Sequence, residues 1–106
     1  HAEPCKVWSS AVVIGVLDIK LALPESRSLK DKRRIINSLR DRLRHGFNVS
    51  VAEVDEQDLW QIANLAVAQV SNDARYVRGS LEKVLAVVRQ FRGAHLSDYT
   101  IEVFHS

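Results

Sequence analysis

The stretch FNVSVAEVDEQDLWQIANLAVAQV, residues 47–70, decides the fold. Phe47, Val49 and Val51 alternate with Asn48, Ser50 and Ala52. A period of two puts one set on each face of a strand. Asp55-Glu56-Gln57-Asp58 then breaks the pattern, and IANLAVAQV (residues 62–70) is a second apolar run of strand length. Two strands joined by so short a polar break suit a hairpin, although its tip lacks the Asn-Gly signal.

Outward from this hairpin lies one helical pattern on each side. Upstream, Leu29, Ile36, Leu39 and Leu43 recur at three- and four-residue spacing, with Ile35 on the flank. Ser28 and Asp31 make a shortened capping box at its start, and Gly46 is the residue expected past its end. Downstream, Ser71-Asn72-Asp73 is a helix start with two cap-type residues and a first-turn carboxylate. Val77, Leu81, Val84, Val88 and Phe91 form the apolar stripe, and Gly93 closes it.

Farther out, AVVIGVLDIKLAL (residues 11–23) is β-branched and apolar, with Leu17, Ile19 and Leu21 opposed to Asp18 and Lys20. Pro24-Glu25-Ser26-Arg27 ends it, and Tyr99, Ile101 and Val103 alternate in a last strand. The order β-α-β-β-α-β predicts an α+β, ferredoxin-like domain over residues 11–106: a four-stranded antiparallel sheet with two helices on one face. Leu17, Ile19, Ile36, Leu39, Leu43, Val49, Leu81, Val84, Val88 and Ile101 are the expected core. The other sheet face stays open. It carries Val12, Ile14, Val16, Asp18 and Lys20, with Asn48, Ser50 and Ala52 beside them.

Composition bounds the rest. The 106 residues suit one domain, with 46% hydrophobic and 26% charged residues and a net charge of +2. No apolar run approaches the ~20 residues that span a bilayer, and a cytoplasmic location is the expectation. HAEPCKVWSS (residues 1–10) has no period and reads as an N-terminal extension outside the fold, native or added; it holds Cys5 and Trp8. The single cysteine makes no internal disulfide and cannot hold an iron–sulfur cluster. Aromatics that stack bases on an RNA recognition motif sit on its central strands; residues 11–23 and 62–70 have none. No phosphate-cradling glycine loop and no nucleophile motif occurs. His1, His45, His95 and His105 are scattered and lack i+3 or i+4 partners. The chain is therefore expected to be no enzyme and to carry no cofactor and no metal.

The first helix carries the functional signal. Arg27, Lys30, Lys32, Arg33, Arg34, Arg40, Arg42 and Arg44 face only Asp31 and Asp41. At 100° per residue, Arg33, Arg40 and Arg44 fall on one flank of the apolar stripe, and Asn37, Lys30 and Arg34 continue outward. Lys32 points toward the apolar side and is expected to snorkel from the first turn. A face built only for solubility would mix its charges, and arginine's planar fork suits phosphate oxygens. Lys30, Arg33, Arg34, Asn37, Arg40 and Arg44 are thus the candidate RNA-binding residues, against a solvated face or an acidic protein partner. Arg75, Arg78, Arg89 and Arg92 of the second helix can widen the surface, with Arg78 and Glu82 placed for an i,i+4 pair.

Glu53, Asp55, Glu56 and Asp58 are read as a solvated hairpin tip that discourages edge pairing, rather than as a hard-cation site, because no calcium-loop spacing is present. Trp60 is read as core or rim packing. The partly apolar open face is a candidate dimer surface.

The runs LPESRSLKDKRR (residues 23–34), FNVSVAEVDEQDLWQ (residues 47–61) and VSND (residues 70–73) closely resemble the YlxP-like family, a bacterial domain of unknown function. The resemblance spans residues 11–104 and implies a ferredoxin-like fold. Genes of that family commonly sit beside those for translation initiation and ribosome maturation, which implies a role near ribosomal or other structured RNA. No catalytic residues are established for the family, so none carry over. The expected function is a non-enzymatic binding module docking on RNA through the first helix. The alternative is an interaction or homodimerisation module using the open sheet or the same helix.

Overall fold

The structure, a computed structural model, describes residues 11–55 and 58–105. The elements follow in the order β1 (Val13–Ala22), α1 (Leu29–Gly46), β2 (Ser50–Val54), β3 (Ile62–Ser71), α2 (Ala74–Gln90) and β4 (His95–His105). The sheet order is β2-β3-β1-β4, and every neighbouring pair is antiparallel. This is the ferredoxin-like arrangement that the pattern predicts. Residues 1–10, with Cys5 and Trp8, lie outside the described residues, as do Glu56, Gln57 and Ser106.

Both helices cover the same face of the sheet. A Cβ on Gly15 of β1 would meet Val77 and Leu81 of α2, and Lys32 of α1 reaches Glu53 of β2. Gly15 shares its side of β1 with Leu17 and Ile19; Ile19 pairs with Leu65, and Leu65 with Glu53. Cross-strand partners point to one face, so α1 and α2 lie on one side. The core sits between, formed by Leu17, Ile19, Leu21, Ile36, Leu39, Leu43, Leu65, Val67, Val77, Leu81, Val84 and Val88. Each such side chain contributes about 1.5–3 kcal/mol of burial. Val49 and Ile101, expected inside, are only half-buried. Ile101 lies on the edge strand β4 and Val49 just before the edge strand β2, where helix packing covers a side chain on fewer sides.

The caps differ in detail from expectation. Asp31 N–H donates to Ser28 Oγ at 3.1 Å, one half of the capping box. The Asp31 carboxylate accepts from the Arg27 amide instead of from Ser28. Gly46 does not leave the helix in a left-handed conformation. The helix continues through it, and Phe47 N–H closes the last turn on the Leu43 carbonyl at 2.9 Å. At α2 the carboxylate expected in the first turn is itself the N-cap: Asp73 Oδ1 accepts from the Arg75 and Tyr76 amides. Gly93, at φ +96, makes the turn into β4.

Lys32 does not snorkel. It is 1% exposed, and its Nζ lies 2.9 Å from Glu53 Oε2 and donates to the Leu59 carbonyl at 2.6 Å. A charge this buried needs such partners. Glu53 therefore belongs to an internal ion pair, not to a solvated hairpin tip.

Candidate nucleic-acid interface

The helical period places the predicted cations as follows. Arg44 leans on the edge strand β2, its Nη2 donating to the Val51 carbonyl at 3.4 Å. Arg40 is half-buried, and its Nε is buried without a hydrogen-bond partner. Lys30, Arg33, Arg34 and Asn37 are exposed. Arg34 approaches Asp31 at 3.5 Å, an exposed contact worth about 0–1 kcal/mol. The stripe thus runs along the β2 flank and outer surface of α1. On the opposite flank Arg42 lies 5.5 Å over the Phe91 ring, a cation–π contact that ties α1 to the end of α2.

The six candidates stay on one side of one helix, but they are not equally available. Lys30, Arg33, Arg34, Asn37 and Arg44 are exposed, Arg44 also touching β2, whereas Arg40 is half-buried and serves the packing of α1 on the sheet. The sequence showed the stripe and not this division, which depends on where β2 runs.

Around the stripe the whole helical layer is basic. α1 and α2 hold eleven Lys and Arg against three carboxylates, Asp31, Asp41 and Glu82. No Arg78–Glu82 ion pair forms among the described residues; Arg78 and Glu82 both remain exposed. Arg89 instead stacks over Tyr99 of β4 at 5.5 Å.

The hairpin end is acidic by comparison. Trp60, expected to pack, is 51% exposed in a shallow hollow lined by Asp58, Leu59, Gln61 and Ile62. The next residue, Gln61, donates its side-chain amide to the Ser26 carbonyl and accepts from the Leu23 amide through its backbone carbonyl. Among the described residues no three His, Cys, Asp or Glu side chains are grouped to hold a metal; Glu56 lies outside them.

On the open face the register sets Ile14 between Val70 and Phe104, and all three are exposed. Asp18, Lys20, Asn64, Asp98 and Thr100 occupy the polar end, around a hollow of 370 Å³.

Fold and surface together define a class: a small ferredoxin-like domain with one basic helical layer and one uncovered sheet face. The chain belongs to the family described as "Protein of unknown function (DUF503)", which matches residues 14–101. It is 32% identical over 79 residues to "Uncharacterized protein YlxP" of Bacillus subtilis (strain 168), covering 74% of this chain and 86% of the relative. The YlxP-like resemblance read from the motifs therefore holds. Among solved structures, the de novo designed protein Foldit4 is similar at a TM-score of 0.54 and 12% identity, covering 90% of this chain and 98% of that one. A C-terminal segment of the alpha subunit of aIF2 from Pyrococcus abyssi is similar at 0.50 and 11%, covering 90% and 51%. At such identities the likeness shows the fold alone. Among the described residues no helix is long and apolar enough to cross a membrane.

Proposed function

We propose that this chain is a non-catalytic cytoplasmic binding module that docks on structured RNA, ribosomal RNA first, through α1. One observation carries the reading: α1 presents Lys30, Arg33 and Arg34 to water while its two carboxylates leave most of that charge unopposed. A run of cations from Lys30 to Arg44, over about four turns and mostly exposed, matches a phosphate backbone, whose contacts position a protein without reading bases. The test is the salt dependence of binding to a ribosomal RNA fragment. About five phosphate contacts give a slope of log K against log salt of roughly −3.5 to −4.5. Changing Lys30 and Arg33 together to Gln shallows that slope by about 1.5–2, largely independently of sequence. An unchanged affinity and slope reduces α1 to a solvated face.

A second reading, a homodimer through the open sheet, is supported by the contiguous exposed Ile14, Val70 and Phe104. Two such faces give a self-complementary two-fold contact. Sedimentation equilibrium decides it: a 12.0 kDa species persisting at high concentration removes the dimer.

A further inference from the structure

Of the exposed aromatic side chains beside the basic helical layer, Tyr99 is covered by Arg89, and Trp60 and Tyr76 differ in their surroundings. Trp60 sits beside Asp58 and follows Asp55, carboxylates that repel a phosphate. Tyr76 sits at the opposite end of α1. There the helix stops at Gly46, and the first turns of α2 come alongside. Gly46, Phe47, Arg75, Tyr76, Gly79 and Lys83 line a groove of 520 Å³, within the range of about 300–1,000 Å³ usual for small-molecule sites. Tyr76 is 58% exposed within it. A Cβ on Gly46 or Gly79 would meet nothing within 4 Å, so the two glycines leave the groove open. Among the described residues no carboxylate lines it. Asp73, close in sequence, has its carboxylate turned onto the Arg75 and Tyr76 amides.

We infer that this groove takes an unpaired base of the bound RNA, stacked on Tyr76, with its flanking phosphates on Arg75 and Lys83. The inference rests on the RNA reading of α1 and narrows it to RNA that carries a bulged or single-stranded nucleotide. The arrangement suits such an occupant. Every base has a π-face that stacks on an aromatic ring, and cations beside the ring hold the backbone. The groove lies at the C-terminal end of α1, on its α2 side, and the last turn of the helix carries Arg44 and His45 directly before Gly46. RNA lying along α1 passes over that turn to reach the groove, and only an extruded base would enter.

Three RNA probes test this at one salt concentration by fluorescence anisotropy: a blunt hairpin duplex, the same hairpin with one bulged nucleotide, and an unstructured decamer. Tyr76→Ala lowers affinity for the bulged and single-stranded probes by about 5- to 150-fold, the loss of one stacked base. It changes affinity for the blunt duplex by no more than about twofold. Tyr76→Phe keeps the ring and restores binding. Gly79→Leu fills the groove from a position with open space and reproduces the selective loss. Its fold is safe, since Leu is the better helix former, and thermal unfolding checks it. Equal affinities of the native chain for bulged and blunt probes, or an equal loss on all three probes, overturn the base site. The proposed function then still stands if the Lys30/Arg33 variant shallows the salt slope. Failure of the native chain to bind any probe overturns both.

Discussion

The helical layer and the sheet of this molecule carry opposite charge. The two helices hold eleven Lys and Arg and three carboxylates; the four strands hold Lys20 alone against Asp18, Glu53, Asp98 and Glu102. A net charge of +2 conceals this separation. What a partner meets is the local field, and a one-signed surface of several cations steers polyanions where the net charge would not. The uncovered sheet face offers no such field. It offers three neighbouring apolar side chains, Ile14, Val70 and Phe104, and a polar end. The two surfaces therefore suit different partners, and neither surface has to change for the other to be occupied.

The change with the largest expected effect asks whether Lys32 belongs to the basic surface or to the interior. Lys32→Met leaves the half-buried Glu53 carboxylate without its ion partner and costs about 3–5 kcal/mol. Urea unfolding reads it. The double variant with Glu53→Leu regains most of the loss, because removing both charges removes the desolvation as well. A single-variant loss below about 1 kcal/mol would return Lys32 to the surface cations and sharpen the contrast between the layers.

Gly15→Ala tests how closely the helical layer sits on the sheet. A Cβ there would lie 2.8 Å from Leu81 Cδ1 and closer still to Val77, so side chains in a packed core must give. Overpacking of this kind costs about 1–3 kcal/mol. A thermal midpoint unchanged by the substitution would mean that α2 rides higher on β1 than the geometry shows.

The smallest expected effect belongs to the open face. With water on it, Phe104→Ser shifts stability by no more than about 0.5 kcal/mol, the ordinary scale for surface changes. Thermal unfolding of the native chain is then independent of protein concentration. A midpoint that rises with concentration, and loses that rise in the variant, would place a second copy on the sheet.

Much of this was written in local pattern. Periods of two and 3.6, two cap sequences and a short polar break determined the element order, the faces of β1 and the core of both helices. Each depends on residues a few positions apart, and the backbone geometry of strands and helices converts such spacing directly into sides. The basic stripe of α1 was legible for the same reason, and two long motifs with one short one carried the family. Edge positions such as Val49 and Ile101 were overestimated, because alternation says which face a residue takes and not how much lies over it. The tertiary structure alone decided the rest. It joined Lys32 to Glu53 and Leu59, brought α2 onto Gly15, left Trp60 exposed, and set Gly46 and Phe47 against Tyr76 and Lys83. Every one of these depends on residues far apart in the chain, whose meeting is set by how the helices pack across the sheet and by no local period.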